Sequence, residues 1–265
     1  MRRARPHSRI EADKPILETI ISIKSDHPLW GYRRIWAYIR YRQNTVVGKN
    51  RVYRLMKENK LLISKKSKLL ARRKPFRAKP QAKHPNHIWG TDMTKVKLGS
   101  FGWVYLHIVL DWYTKEIIGY SFSFQSKADD WLNALNMAVN NRFPDGILSS
   151  ENKPKLVTDN GCQPTSEKFM KTCSVLDIKQ IFTTWNNPKG NADTERVMRT
   201  IKEDLVWPYD WNCPFSFQFA FSKWILDYNT DFPHQSLAYN TPAQTMNNFL
   251  RKEISNSLTD SLIFA

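Results

Sequence analysis

The sequence predicts an α/β domain built on a mixed five-stranded sheet with flanking helices, preceded by a small all-α domain. Up to residue 63 apolar residues recur at helical spacing, whereas from residue 85 three strand-like runs precede alternating helices and strands. The charge divides at nearly the same place. Residues 1–84 hold 24 Lys and Arg against 5 Asp and Glu, and residues 85–265 hold 17 against 19. A basic module joined to a near-neutral one indicates a nucleic-acid-binding arm on a larger body.

The basic first third is predicted to be helical over 14–62: apolar residues from Ile16 to Ile23 recur at helical spacing, and two further stretches cover 32–41 and 49–62. Short helices with a brief turn before a basic third helix are consistent with a helix-turn-helix fold. An ordinary three-helix bundle with a basic surface explains the periodicity equally well, and the excess positive charge favours DNA binding. The third helix turns four basic residues outward: Lys49, Arg51, Arg54 and Lys57.

The second region has the hydrophobic pattern of an α/β domain. Three antiparallel strands followed by alternating helices and strands give a mixed sheet with helices packed on it. This order, βββαβαβα, is that of the ribonuclease H-like fold. The predicted strands cover 88–96, 103–111, 116–124, 156–158 and 178–182, and the predicted helices cover 127–141, 166–173, 191–205 and 215–228.

These patterns divide the chain into four segments. Residues 1–63 form the helix-turn-helix domain, 64–84 a basic, proline-bearing linker, 85–250 the α/β core and 251–265 a tail. The three cysteines show no metal-binding spacing, which predicts a reduced protein without disulfides. No apolar run reaches the roughly 18 residues of a membrane span, and no apolar signal core follows the basic N-terminus. A cytoplasmic protein is therefore expected.

Three carboxylates in the α/β core stand in contexts that suit one shared site. Asp92 interrupts an apolar strand, Asp159 follows a short strand, and Glu195 lies near the start of a helix. Each also has an ordinary interpretation. Asp92 could be an exposed edge residue, Asp159 a turn residue, and Glu195 a first-turn residue favoured by the helix dipole. Their joint placement at a strand centre, a strand end and a helix start favours the shared site.

Such a trio suits phosphoryl transfer assisted by divalent ions. Two ions about 3.5–4 Å apart stabilise the attacking and leaving oxygens, and Mg²⁺ prefers oxygen ligands. Without a metal the three negative charges would repel one another. Lys202, seven residues after Glu195, shares its helix face, whereas Asp193 is rotated by about 200°. We therefore predict that two other aspartates lie outside the shared site: Asp193, which is a helix-start residue, and Asp111, which ends a strand.

With these residues the chain resembles the DDE transposases of bacterial insertion sequences, whose core is similar to that of retroviral integrases. The resemblance is closest to second-reading-frame (OrfB-type) products and covers nearly the whole chain. The combination of motifs is specific, whereas any single one is weak. The motifs are HPLWGYRRI at 27–35, NRVYRLM at 50–56, PNHIWGTDMT at 85–94, TDNG at 158–161, NADTE at 191–195 with Lys202, YN at 228–229, HQSL at 234–237 and TPA at 241–243.

The resemblance implies cleavage of DNA at element ends, then attack of the freed 3′-hydroxyl on another phosphodiester. Both steps would use two Mg²⁺ or Mn²⁺ ions at Asp92, Asp159 and Glu195. The implied partners are double-stranded DNA (element ends and target), further copies of the chain, and a first-frame companion protein or a frameshift fusion to it, on the bacterial nucleoid. The implied DNA contacts are Lys202 near the reacting phosphate and, in the helix-turn-helix motifs, Arg33, Arg34, Lys49, Asn50, Arg51 and Arg54.

The chain departs from the family pattern in three places. Around the second carboxylate the family often has His-Ser-Asp-x-Gly-Ser-Gln-Tyr, whereas this chain has VTDNGCQP at 157–164, so different flanking contacts are expected. A basic residue expected shortly before His234 is absent, which predicts weaker DNA contact from that loop. The zinc-binding His/Cys module of retroviral integrases is also missing, so the likeness to integrases is confined to the core.

Two other functions are compatible with the sequence. A ribonuclease H-like nuclease acting on a hybrid or branched structure would share the fold and the metals but would not join strands, and it would not need a sequence-reading arm. A DNA-binding protein that has lost catalysis would retain the basic module. The intact trio with Lys202 argues against that last function.

Overall fold

The computed structural model describes residues 7–63, 81–183 and 190–263, with side chains within 11–256 of these ranges. The chain divides into two compact units. Unit 1 combines the N-terminal helices with Asp231–Asn240, and unit 2 contains the rest. Most of the predicted linker (64–84) lies outside the described residues. No helix in the described ranges is long and apolar enough to cross a membrane.

Unit 1 contains three helices: α1 (His7–Asp26), α2 (Tyr32–Tyr41) and α3 (Lys49–Glu58). The predicted bounds of α2 are confirmed. The third helix ends at Glu58, four residues earlier than predicted, because Lys60 adopts a left-handed backbone conformation with φ 57°. The helices meet through side chains that recur at helical spacing and are buried: Ile20, Ile23, Ile35, Ile39, Val52, Leu55 and Met56.

Asp231–Asn240, which the sequence pattern assigns to the α/β core, supplies aromatic side chains to unit 1. The Phe232 ring is buried and packs edge-on against Trp30, with 5.4 Å between ring centroids. The Arg34 guanidinium carbon lies 4.2 Å from the Phe232 centroid. Tyr239 packs edge-on against Trp36 at 5.2 Å. The helical unit is therefore completed by a segment that lies far away in the sequence.

We expect Phe232→Ala to destabilise unit 1 selectively, by about 3–5 kcal/mol, because it removes a buried aromatic ring and leaves a cavity. Hydrogen exchange on the full chain should then show loss of amide protection in α2 but not in the sheet of unit 2. Phe215→Ala is the matched control, since Phe215 is 81% exposed. Unchanged protection of α2 in the Phe232 variant would contradict the role given to this segment.

Unit 2 contains the predicted mixed sheet of five strands. They are β1 (Ile88–Leu98), β2 (Gly102–Asp111), β3 (Ile117–Ser123), β4 (Lys155–Thr158) and β5 (Lys179–Phe182). Their order across the sheet is β3-β2-β1-β4-β5. The pairs β1–β2 and β2–β3 are antiparallel, whereas β1–β4 and β4–β5 are parallel. The predicted fold class is thereby confirmed.

Helices cover this sheet. They are α4 (Ala128–Arg142), α5 (Glu167–Val175), α6 (Ala192–Ile201), α7 (Pro214–Thr230) and α8 (Pro242–Ile263), and α6 continues into a π-helical turn, Lys202–Val206. The helix α4 buries Trp131, Leu132 and Leu135 in the main core. It approaches β3 closely at Gly119, where an added Cβ would lie 2.2 Å from the Ala134 carbonyl oxygen. The helix α8 runs through the predicted boundary between core and tail at residue 250.

The central strands fix where side chains from β1 and β4 can meet. In the parallel ladder Ile88 is paired with Lys155 and Gly90 with Val157. Asp92 lies two residues after Gly90, and Asp159 lies two residues after Val157. Both therefore follow the last pair of this ladder by the same number of residues. The register therefore brings both residues to the same end of the sheet, next to each other.

Candidate active site

The two aspartates differ in their surroundings although they lie at the same sheet end. Asp92 is half-buried within β1, and its Oδ1 accepts a hydrogen bond from the Met93 backbone N–H at 2.8 Å. Asp159 is exposed just after β4, and its Oδ1 accepts from the Gly161 N–H at 3.0 Å. The turn role considered for Asp159 is therefore real, and it is compatible with a place in the site.

The helix α6 brings the third carboxylate and the lysine. Glu195 is exposed in its first turn, and its backbone N–H donates to the Asn191 carbonyl at 3.0 Å. Lys202 lies at the end of α6, where the π-helical turn begins. Both side chains act on Asp92 electrostatically: Glu195 raises the pKa of that carboxyl and Lys202 lowers it. The charges of Asp159, Glu195 and Lys202 thus all act on Asp92.

The strongest electrostatic signal of the site is the pKa of Asp92, which is raised from 3.8 to about 7. Burial is the main cause, because a charged carboxylate loses hydration. The Met93 hydrogen bond opposes this rise, and the negative charges of Asp159 and Glu195 add to it. A cation between these carboxylates would remove the repulsion, so the charge distribution suits a positively charged ligand.

The donor set consists of carboxylate oxygens, which fits hard divalent ions such as Mg²⁺. The side chains are not already gathered into a cage, however. Within the described ranges, no group of three or more His, Cys, Asp or Glu side chains is close enough to hold a metal ion. Binding of an ion would have to draw exposed Asp159 and Glu195 towards Asp92.

Asp111 and Asp193, the two aspartates predicted to lie outside the shared site, have structural roles. The buried Asp111 carboxylate accepts hydrogen bonds from the backbone N–H groups of Asn86 at 2.6 Å and Tyr113 at 2.7 Å, and so fixes the turn after β2. Asp193 pairs with Lys115, whose Nζ lies 2.8 Å from Asp193 Oδ2. As predicted, Asp193 lies in the first turn of α6.

Side-chain hydrogen bonds hold the loop after Asp159, which departs from the family pattern. Gln163 Nε2 donates to the Ser126 carbonyl at 2.9 Å and so connects the loop to the segment before α4. Thr165 Oγ1 donates to the Gly161 carbonyl at 2.8 Å, within the loop itself. Together these bonds hold the backbone that carries Asp159.

Four residues beside the site carried no prediction of their own: Gly90, Trp112, Asn191 and Thr194. They lie where α6 meets β1, as described below. A glycine inside a strand pattern can indicate close approach of another backbone, and that was the one sequence signal available. The partners of Trp112 and Asn191 are distant in sequence, so no local pattern could identify them.

The basic residues of α3 fall into two groups. Arg51 Nε and Arg54 Nη2 each donate to the Asp13 carboxylate at 2.7 Å, and Arg51 also donates to the Ala12 carbonyl. Burial raises the pKa of Asp13, but hydrogen bonds from Arg54 and Arg51 outweigh it and hold that pKa below its usual value. Arg51 and Arg54 were predicted to point outward. In the structure both side chains turn towards α1 instead.

The remaining basic residues of unit 1 also differ in exposure. Lys49 and Asn50 are exposed at the start of α3, and Lys57 is exposed about one turn beyond Tyr53 on the same face. Arg33 is exposed and donates to the Tyr32 hydroxyl at 3.2 Å. Arg34 instead covers the Phe232 ring. The exposed positive charges of unit 1 therefore include Lys49 and Lys57 of α3 and Arg33, together with Lys14, Arg40 and Lys60.

Family models match both units. An HTH-like domain matches residues 11–68. Two models described as integrase core domains match residues 82–188 and 176–242. Taken together, the two core matches span more than half of the chain.

Curated relatives match almost the full chain. The transposase InsD for insertion element IS2A/D/F/H/I/K of Escherichia coli is 24% identical over 267 residues, covering 96% of this chain and 84% of that protein. The InsD transposase for insertion element IS2-9 of Escherichia coli strain K12 is also 24% identical, covering 96% of this chain and 82% of its own length.

Two solved structures are similar to this chain, and the first of them shows the same fold. A chain from the cryo-EM structure of the simian T-cell lymphotropic virus intasome, solved with a PP2A regulatory subunit, matches with a TM-score of 0.53 at 17% identity. That match covers 79% of this chain and 73% of the other. The HTLV-2 integrase catalytic core domain, solved with magnesium, matches with a TM-score of 0.49 at 22% identity, covering 63% of this chain and 99% of that one.

Proposed function

Because this chain belongs to the insertion-sequence transposases that carry an integrase core, we propose that Asp92, Asp159 and Glu195 are its catalytic residues. The chain is a DNA transposase, a polynucleotidyl transferase of the DDE type. The observation that carries the assignment is that Asp159, at the end of β4, and Glu195, in α6, both act on Asp92 in β1: their negative charges add to a rise in the pKa of Asp92 that burial chiefly causes. A structural role for these residues would not require their negative charges to lie near one another.

Asp92, Asp159 and Glu195 would together hold the divalent ions, Mg²⁺ or Mn²⁺. When bound, such ions neutralise charge on the phosphate and activate the attacking hydroxyl. Asp92 provides the fixed part of the site, since it lies in a central strand. Asp159 and Glu195 are exposed and can adjust as the site closes around its ligands.

Lys202 would contact the DNA backbone beside the reacting phosphodiester. It lies near enough to Asp92 for its positive charge to oppose the rise in the pKa of that carboxyl. A lysine ammonium is a compact charge that binds phosphate oxygens. The two steps it would serve are cleavage at the element ends and attack of the 3′-hydroxyl on a target strand.

The helical unit would bind double-stranded DNA. The matching HTH-like model and the net charge of +17 support this, and the exposed side of α3 offers Lys49, Asn50 and Lys57. Arg33 would add a phosphate contact. Transposition joins two ends to a target, so we also propose that the chain acts as a multimer, with a first-frame companion protein or a fusion to it, on the nucleoid in the bacterial cytoplasm.

Charge removal on α3 should separate DNA binding from stability. We expect Lys57→Gln to weaken DNA binding similarly across sequences and to reduce the slope of log affinity against log salt by about 1. Arg54→Gln should mainly lower the stability of unit 1, by about 1–3 kcal/mol, because it removes a charged partner of the partly buried Asp13. Fluorescence anisotropy across a salt series, with melting curves for each variant, measures both. If both variants fold and lose the same affinity for DNA, the assignment of Lys57 to DNA binding and of Arg54 to stability is contradicted.

The experiment that tests the proposed function is a strand-transfer assay on end-labelled DNA carrying the ends of the encoding element. It is run with Mg²⁺ or Mn²⁺, with and without the first-frame companion. Joined products would support the proposal. Cleavage without joining when the companion is present would favour a nuclease, and DNA binding without chemistry under the same conditions would favour a DNA-binding protein that has lost catalysis.

A further inference from the structure

One buried side chain links the backbones that carry two of the proposed catalytic residues. Asn191 precedes α6, and its carbonyl accepts the backbone N–H of Glu195 at 3.0 Å. Its side-chain Nδ2 donates to the carbonyl of Thr91, the residue before Asp92, also at 3.0 Å. Asn191 is only 5% exposed. A single asparagine therefore connects β1 at Asp92 with α6 at Glu195.

Asparagine just before a helix usually accepts a hydrogen bond from an N–H group of the first turn. The Asn191 side chain makes no such capping bond. It crosses to the strand instead, at a point where the parallel ladder between β1 and β4 has just ended with Gly90 and Val157. The asparagine amide thus bonds to the strand that carries Asp92 instead of capping its own helix.

A second contact fixes how close the helix comes to the strand. A Cβ added to Gly90 would lie 2.1 Å from Thr194 Oγ1 and 2.3 Å from Trp112 Nε1, distances that no side chain could accommodate without a shift. The two facing groups are themselves bonded, since Trp112 Nε1 donates to Thr194 Oγ1 at 3.1 Å. Thr194 directly precedes Glu195. Direct packing on the Gly90 backbone therefore sets the distance between α6 and β1.

We propose that these four residues (Gly90, Trp112, Asn191 and Thr194), here called the α6 anchor, set the distance between the carboxylates of Asp92 and Glu195. Asn191 is the central positioning residue of the α6 anchor. This inference rests on the proposed function, because it assigns the anchor to the metal-binding pair. The anchor is needed because Glu195 is exposed and repelled by Asp92, so the charges of this pair favour separation of the two carboxylates.

The expected effect follows from how metal sites respond to their surroundings. Residues that orient metal ligands typically change metal affinity or activity by about 10–100-fold when they are replaced. A catalytic constellation also has to be held within roughly 0.5 Å of its productive geometry. Asn191→Ala removes the bond to Thr91 without touching a ligand, so Mn²⁺ affinity should fall by about 10-fold or more, with a parallel fall in strand transfer.

Asn141→Ala is the matched control. Asn141 lies in α4, and its Nδ2 donates to the carbonyl of Ile118 in β3 at 2.9 Å, so the two variants lose the same kind of bond between a helix and a strand. Only Asn191 has its bond beside the proposed ligands. A second test variant, Thr194→Val, keeps the shape of the side chain and removes the acceptor for Trp112. It provides an independent test if Asn191→Ala does not fold.

The measurement is Mn²⁺ binding to the full chain by isothermal titration calorimetry, together with the melting temperature and the strand-transfer rate. We expect weaker Mn²⁺ binding in Asn191→Ala and Thr194→Val, and unchanged binding in Asn141→Ala. Folded variants of the anchor with the affinity and rate of the starting protein would overturn the α6 anchor and leave the proposed function intact. Failure of the starting protein itself to bind Mn²⁺ or join strands would instead count against the proposed function.

Discussion

Glu195→Gln is expected to lower the strand-transfer rate by at least about 1,000-fold, equivalent to about 4 kcal/mol of transition-state stabilisation. The change keeps the size and hydrogen-bonding capacity of the side chain but removes its charge. Neutral amides are poor ligands for Mg²⁺, so the ion beside Asp92 would lose a charged partner. End-labelled DNA and a time course of joined products measure the rate, and gel shifts check that DNA binding is retained.

Glu203→Gln is the matched control for this prediction. Glu203 follows α6 in the same continuous helical segment, and its carboxylate is paired with Arg199 rather than with the site. Its replacement should leave the strand-transfer rate within a few-fold of the starting protein. Retained activity in Glu195→Gln, or equal loss in both variants, would reject Glu195 as the third carboxylate.

Asp92→Asn is expected to stabilise the metal-free protein at pH 8. Because the folded-state pKa of Asp92 is about 7 and its ordinary value is 3.8, folding favours the protonated carboxyl. The penalty for a charged Asp92 is absent below pH 3.8, grows between pH 3.8 and about 7, and is complete above that. At 1.36 kcal/mol for each pKa unit, the full penalty is up to about 4 kcal/mol.

Melting curves in EDTA between pH 5 and pH 8 measure this effect. The melting temperature of Asp92→Asn should exceed that of the starting protein by several degrees at pH 8, and by less at pH 5. The exposed Asp210→Asn serves as the control for simple loss of negative charge. Added Mg²⁺ should raise the melting temperature of the starting protein at pH 8 and leave Asp92→Asn nearly unchanged. A less stable variant at pH 8 would contradict the raised pKa.

The elements of unit 2 were largely predictable because their cause is local. The strand bounds at Asp111 and Phe182 were predicted to the residue, since alternation and turn residues act over a few positions. The succession of strands and helices predicted a mixed sheet, whereas the order of the strands across that sheet was not predicted and comes from the structure. The placement of α8 was missed because its amphipathic pattern is weak beyond residue 250, and a helix there can continue without a pattern strong enough to show in the sequence.

Unit 1 shows where local reasoning fails. The spacing of Arg51 and Arg54 correctly predicts that they lie off the buried face of α3. It does not predict the direction in which their side chains point. That depends on Asp13, which lies about forty residues earlier and approaches only when α1 packs against α3. Phe232 and Tyr239 complete the same unit from nearly 200 residues away. No periodicity in either segment contains that information.

The sequence by itself determined the residue types of the proposed site: two aspartates after strand positions, a glutamate at a helix start and a lysine two turns later. It did so because each element is formed by short-range patterns. Only the tertiary structure decided their distances and charges. The register of β1 with β4 brings Asp92 and Asp159 to the same end of the parallel ladder, and Asn191 connects the start of α6 with β1. The raised pKa of Asp92 depends on burial and on charges more than sixty residues away in the sequence. The pKa is therefore raised only once the chain has folded.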